Sequence, residues 1–167
     1  MRAIIYTSNT GSTAEYAQLL GKKLNLPVHS LQQAKNKVPA GSEIIYLGWI
    51  MAGKDPAIYS KGSQTLRRSA VCGVGMGQTG TQLKEVRDKN AIPQRIPLFT
   101  LQGNFDVKKL HGVYRFMMNV MVKTAGKGLA NKTDRTPEED DMLDMMVNGG
   151  KRVSLQNMKA ITEWYKN

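Results

Sequence analysis

Ala3-Ile4-Ile5-Tyr6-Thr7-Ser8-Asn9-Thr10-Gly11-Ser12-Thr13 is the stretch on which the fold turns. Its first four residues form a short apolar run of strand character. Behind Thr13 a helical pattern begins, with Ala14, Ala17, Leu20 and Leu24 recurring at helical spacing. The stretch therefore reads as a strand, a tight loop and a helix N-terminus. Such a terminus offers unpaired backbone N–H groups at the positive end of the macrodipole, which makes it a natural anion site. Five of the seven residues from Thr7 to Thr13 are Ser or Thr, and none is charged. That composition suits a phosphate held by neutral donors, with no countercharge and no magnesium. The plainer alternative is that Ser12 or Thr10 caps the helix. One cap needs one hydroxyl, and here several converge.

Further along, the runs Glu43–Gly48, Ser69–Val74 and Ile96–Leu101 are short and rich in Ile, Val, Leu, Tyr and Phe, with a weaker run at Pro27–Leu31. Continuous apolar strands of this kind belong in a parallel sheet covered on both faces. Helical patterns are expected at Ala14–Leu24 and Thr81–Lys89, the second closed by Pro93. The resulting β-α-β-β-α-β-α order implies an open, doubly wound α/β sheet. Ligands in such sheets bind at the carboxyl ends of the strands, near a switch point, and the Thr7–Thr13 loop falls at such an end.

The last third reads differently. Val107–Ala125 is a long apolar and basic segment, expected to be helical and to end at Gly126 and Gly128. Thr136-Pro137-Glu138-Glu139 is a capping box with Pro in the first turn. Asn148-Gly149-Gly150 closes that helix, and Ser154 caps a final one running to Lys166.

With 167 residues, 41% of them hydrophobic and 22% charged, the chain is expected to form one soluble domain spanning 1–167, with an insertion over about 104–150. No signal peptide or membrane span is read. The single cysteine, Cys72, lies in the apolar run Ala70–Val74, which suits a buried thiol and a cytoplasmic protein. His29 and His111 lack metal-ligand spacing, and no metal site is expected. The net charge is +11, although Asp134–Asp144 holds six acids against one Arg. Basicity points to an acidic partner or an anionic membrane surface. No zinc-finger spacing, RNA-binding motif or dense basic helix supports nucleic acid.

Three motifs compete. Gly48–Lys54 has P-loop spacing, but Asp55 stands where a Ser or Thr must meet magnesium, and Trp49, Ile50 and Met51 are bulky. Asn131-Lys132-Thr133-Asp134 resembles a guanine-reading motif but follows no apolar strand. Gly75-Met76-Gly77-Gln78-Thr79-Gly80 matches the dinucleotide glycine pattern, without the acid expected about twenty residues on. We read it as backbone that a flat ligand can approach closely, against a ligand-free glycine turn.

The loops at Ser8-Asn9-Thr10-Gly11-Ser12-Thr13, at Gly48-Trp49 and at Gly73-Val74-Gly75-Met76 together resemble the flavodoxin family. The first is similar to that family's FMN phosphate loop and the second to its aromatic stacking loop. The third departs from the pattern, because Met76 stands where many members carry an acid and the usual stacking Tyr is missing. The resemblance covers roughly residues 1–103, with Ser154–Lys166 as the closing helix. Phe99–Gly126 and the basic charge are closer to the menaquinone-dependent protoporphyrinogen oxidase branch, which carries a helical insertion after the last strand.

The resemblance implies a flavodoxin-like five-stranded parallel sheet with helices on both faces. It also implies FMN held by Ser8, Asn9, Thr10, Gly11, Ser12, Thr13, Trp49, Ile50, Met51, Ala52, Gly75, Met76, Gly77 and Gln78. The flavin would do the electron chemistry, so no catalytic side chain is assigned. The function expected is an FMN-binding electron-transfer protein. Its alternatives are an FMN-dependent oxidoreductase of the protoporphyrinogen or quinone type and a non-redox phosphate-binding module. Partners would be a redox protein or a quinone or other small acceptor. The Met-rich segment flanked by Lys108, Lys109, Arg115, Lys123 and Lys127 is suited to peripheral contact with an anionic membrane on its cytoplasmic face. Its plainer reading is a buried helix with Met as core filler.

Overall fold

The computed structural model describes residues 1–57, 65–106 and 112–167. Five strands, β1 (Ala3–Tyr6), β2 (Val28–Ser30), β3 (Glu43–Trp49), β4 (Arg67–Gly75) and β5 (Leu98–Gln102), form one sheet in the order β2-β1-β3-β4-β5. Every pairing is parallel, with Ile5 opposite Tyr46, Leu47 opposite Cys72 and Val74 opposite Leu101. This is a doubly wound order, whose switch point lies between β1 and β3. The expected parallel sheet is present, with its strands within two residues of the expected bounds.

Alternation along each strand sends successive side chains to opposite faces. Ile5, Ile44, Tyr46 and Val71 pack on one side with Ala34 of helix α2 (Leu31–Lys37) and Val86 of α3 (Leu83–Lys89). Ile4, Ile45, Leu47, Cys72 and Val74 pack on the other with Tyr16, Ala17 and Leu20 of α1 (Ser12–Leu24) and Ile161 of α6 (Lys159–Lys166). Both faces are thus covered, which is why the strands read as unbroken apolar runs. Cys72 is fully buried and burial pushes its thiol up, so it stays protonated. None of the helices found among the described residues is long and apolar enough to cross a membrane.

Helix α2 is an addition to the expected order. Its signal is local: Ser30 Oγ accepts from the Gln33 N–H (3.2 Å) and Gln33 Oε1 accepts from the Ser30 N–H (3.1 Å), a reciprocal box. A second correction concerns the insertion. Helix α4 spans Gly112–Asn131 and passes through Gly126 and Gly128. An interior glycine costs about 0.5–1 kcal/mol relative to alanine, too little to stop a helix packed against a neighbour. That neighbour is α5 (Pro137–Asn148), and Gly126 faces Met146 across the contact. Lys108, Lys109 and His111 lie outside the described residues. At the C-terminus, Ser154 Oγ accepts from the Asn157 N–H (3.3 Å), so it supports a 3-10 turn at Gln156–Met158 that precedes α6.

Helix α5 begins as expected, with Thr136 and Glu139 in a capping box and Pro137 in the first turn. Thr136→Ala is expected to cost about 1 kcal/mol, read as a lower urea midpoint. The hydrogen bond from Lys132 holds the Glu139 carboxyl below its ordinary range, and that from Asn148, then Arg152, does so for Asp144. Groups depressed in the folded state stabilise it above their unfolded values and stop doing so as pH falls through their folded values. The α4–α5 pair is therefore expected to loosen first on acidification below the usual carboxylate range. Amide exchange measured against pH would check this; uniform protection across the chain would contradict it.

Candidate functional site

The β1–α1 loop is shaped by Gly11, whose φ of 103° places it in the left-handed region that glycine occupies without strain. Gly11 is the N-cap, and it has no side-chain capping bond. Capping by Ser12 or Thr10 is therefore not what the structure shows. Ser8 Oγ accepts from the Gly11 N–H (3.2 Å), which curls the loop. The first intrahelical bond runs from the Glu15 N–H to Gly11 O (2.9 Å), so the amides of Ser12, Thr13 and Ala14 precede it. The Ser12 hydroxyl is otherwise occupied. It accepts from the Asn104 N–H (3.0 Å) and ties α1 to the chain leaving β5.

Asn104 fastens that chain further. Its Oδ1 accepts from the Arg152 N–H (2.7 Å) and the Val153 N–H (3.0 Å), and its Nδ2 donates to Glu15 Oε2 (3.1 Å). Nearby, the Tyr16 hydroxyl donates to Gln102 O (2.6 Å) and accepts from Asn157 Nδ2 (2.7 Å), and burial raises its pKa. Phenol, amide and backbone thus lock α1, β5 and the C-terminal segment at one edge of the site.

Behind β3 the chain turns tightly, with Met51 and Lys54 exchanging backbone hydrogen bonds (2.9 and 3.0 Å). Among the described residues behind Gly48–Lys54, positions 55–57 form a turn and no helix. Asn131 to Asp134 lies at the end of α4, not behind a strand. Loop 50–57 is held from below. Asn90 Oδ1 accepts from the Asp55 N–H (2.8 Å), and Asn90 Nδ2 donates to Gly53 O (2.6 Å). The Tyr46 hydroxyl sits 3.0 Å from Thr7 Oγ1 and also bonds Asp55; burial, then the Asp55 charge, raises its pKa, so the phenol stays protonated.

The ends of β1, β3, β4 and β5 open onto a cavity of about 270 Å³. Of the residues expected to hold a ligand, Asn9, Thr10, Ser12, Thr13, Trp49, Ile50, Met51, Ala52, Gly75, Met76 and Gly77 line it. Ser8, Gly11 and Gln78 belong to the same loops but do not line it. Gln78 instead closes a turn, its carbonyl accepting from Thr81 Oγ1 (2.7 Å). Gly75 has a packing role besides its place at the cavity. A Cβ there would sit 2.7 Å from Ile50 Cγ1, so the glycine makes room for Ile50.

The sequence reading missed the far wall. Phe105, Met118, Met121 and Met146 line the cavity, and Phe105, Met118 and Met145 form a small apolar cluster of their own. Six of the chain's ten methionines fall between 117 and 146, and that clustering is the one signal that could have assigned α4 and α5 to the pocket. Methionine is flexible and polarisable, which suits a wall that adapts to its occupant. The wall is anchored through Gln102, whose Nε2 donates to Asp141 Oδ2, and through Arg152, whose Nη2 reaches Asp141 and Asp144 (each 3.1 Å).

No family model matches this chain, and no curated protein does. Among solved structures it is similar to the crystal structure of orotate phosphoribosyltransferase from Aeropyrum pernix, at 15% identity and a TM-score of 0.38. The match covers 60% of this chain and spans 57% of that one. The expected function, an FMN-binding flavodoxin-like electron-transfer protein with its oxidoreductase and non-redox alternatives, is corrected by this comparison. The likeness found is to a phosphoribosyltransferase, not to an electron carrier, and electron transfer is not carried further. A likeness this slight gives the chain no activity in its place.

Proposed function

We propose that this chain binds a small ligand combining a phosphate monoester with a flat, largely apolar body. The observation that carries the reading is a juxtaposition: the amide-rich start of α1 faces the same cavity that Trp49 and the methionine wall line. The amides preceding the first intrahelical bond would hold the phosphate, aided by the Thr10 hydroxyl. Trp49, Met51 and Met76 would cover the body and exclude water from it. FMN has both parts and is the ligand we put forward. The proposal concerns binding alone. Cys72, buried and single, suits a reducing, cytoplasmic setting.

Equilibrium dialysis with FMN, riboflavin and ribose 5-phosphate tests it. FMN is expected to bind about tenfold or more tightly than riboflavin, the worth of one charge-assisted hydrogen bond. Trp49→Ala should weaken FMN and riboflavin by similar factors and leave ribose 5-phosphate unchanged. Equal affinity for FMN and riboflavin would overturn the phosphate assignment. Failure of all three ligands would overturn the site.

A further inference from the structure

Helix α4 has two apolar faces, and only one of them is used. Met118 is buried, and Met121 and Val122 pack beside it on the cavity side. On the opposite side Val113, Phe116, Met117 and Val120 recur at i, i+3, i+4 and i+7, with exposures of 64, 69, 48 and 45%. Large apolar side chains so aligned, and so exposed, mark a surface that meets something. Lys123 and Lys127 continue the same stripe over the next two turns.

Charge decides what that something is. Helix α4 carries Arg115, Lys123 and Lys127 and no acid. Four of the five acids of neighbouring α5 are already engaged: Glu139 with Lys132, Asp140 with Arg135, and Asp141 and Asp144 with Arg152. Among the described residues no ion pair reaches the three cations of α4. We infer that this face docks on an anionic lipid surface, its apolar stripe at the acyl boundary and its lysines at the headgroups. The helix is not apolar enough to cross a bilayer, so it would lie in the interface. A second copy of the chain fits less well. Pairing two stripes would bring like cations together in a molecule whose net charge is +11.

Co-sedimentation of the whole chain with vesicles tests the inference. It should bind phosphatidylcholine–phosphatidylglycerol vesicles at low salt, bind them less at high salt, and ignore pure phosphatidylcholine. Lys123→Gln with Lys127→Gln should lower partitioning roughly fivefold per lysine removed. Phe116→Ser with Val120→Ser should abolish it at the same salt. Both pairs are exposed, and unchanged circular dichroism would confirm that the variants fold. No sedimentation of the wild-type chain with anionic vesicles overturns the inference. So does sedimentation that neither pair alters, or a dimer in light scattering that the Phe116 and Val120 changes dissolve.

Discussion

Gly48→Ala is expected to destabilise the chain by about 3–5 kcal/mol, lowering the urea midpoint by more than about 1 M. Gly48 lies inside β3, and a Cβ there would land on the Asp55 carboxylate, 2.6 Å from its Cγ and 2.9 Å from Tyr46 Cε1. The carboxylate has nowhere easy to go. The Asp55 N–H is fixed by Asn90, its Oδ1 accepts from the Ala57 N–H (2.8 Å), and the Tyr46 phenol bonds it from the sheet. Moving Asp55 leaves buried polar groups unpaired and also shifts loop 50–57, which carries Trp49's neighbours at the cavity. Loss of ligand binding should therefore accompany loss of stability. Gly128→Ala supplies the opposite sign. A Cβ there meets open space in mid-helix, and a gain of about 0.5–1 kcal/mol is expected. A Gly48→Ala protein with an unchanged midpoint would mean that Asp55 does not occupy this position.

Asn104→Ala is expected to cost about 2–4 kcal/mol, because it strips the Arg152 and Val153 amides of their shared acceptor in a half-buried place. It also frees the chain after β5 from α1, so the Ser12 hydroxyl loses the alignment of its partner. Asn104→Asp separates the roles. The acceptor survives, but the donor to Glu15 is replaced by a second carboxylate beside it. That variant should fall between wild type and alanine at low salt and move toward wild type as salt screens the repulsion. Thermal melts of the three proteins at low and high salt would show it. Identical curves for Ala and Asp would refute the acceptor role.

How much of this was legible beforehand follows from the range of the interactions. Strand identity was, because both faces of a parallel sheet are covered and Ile4, Ile5, Ile44 and Ile45 need no polar alternation. The Thr136 and Glu139 box was as well, since capping is settled within four residues. Helix α2 carries the same kind of local mark at Ser30 and Gln33 but lies between two short strands, where strand propensity distracts from it. The contacts that Ser12 and Gly75 make within the fold were not legible, for one shared reason. Each is defined by a partner distant in sequence, Asn104 for the first and Ile50 for the second, and nothing nearby in the chain reports either contact. The methionine wall belongs with these. Composition marked it as unusual, while only the packing of α4 against α5 and Phe105 turns it toward the strand ends.

Helix α4 is a single rod of 20 residues with the cavity on one flank and solvent on the other. Anything that grips its outer flank also holds the far wall of the cavity, and anything lodged against that wall steadies the surface on its other side. Thermodynamic reciprocity makes the two preferences equal in size. A guest that binds more tightly when the rod is pinned must, by the same factor, help to pin it.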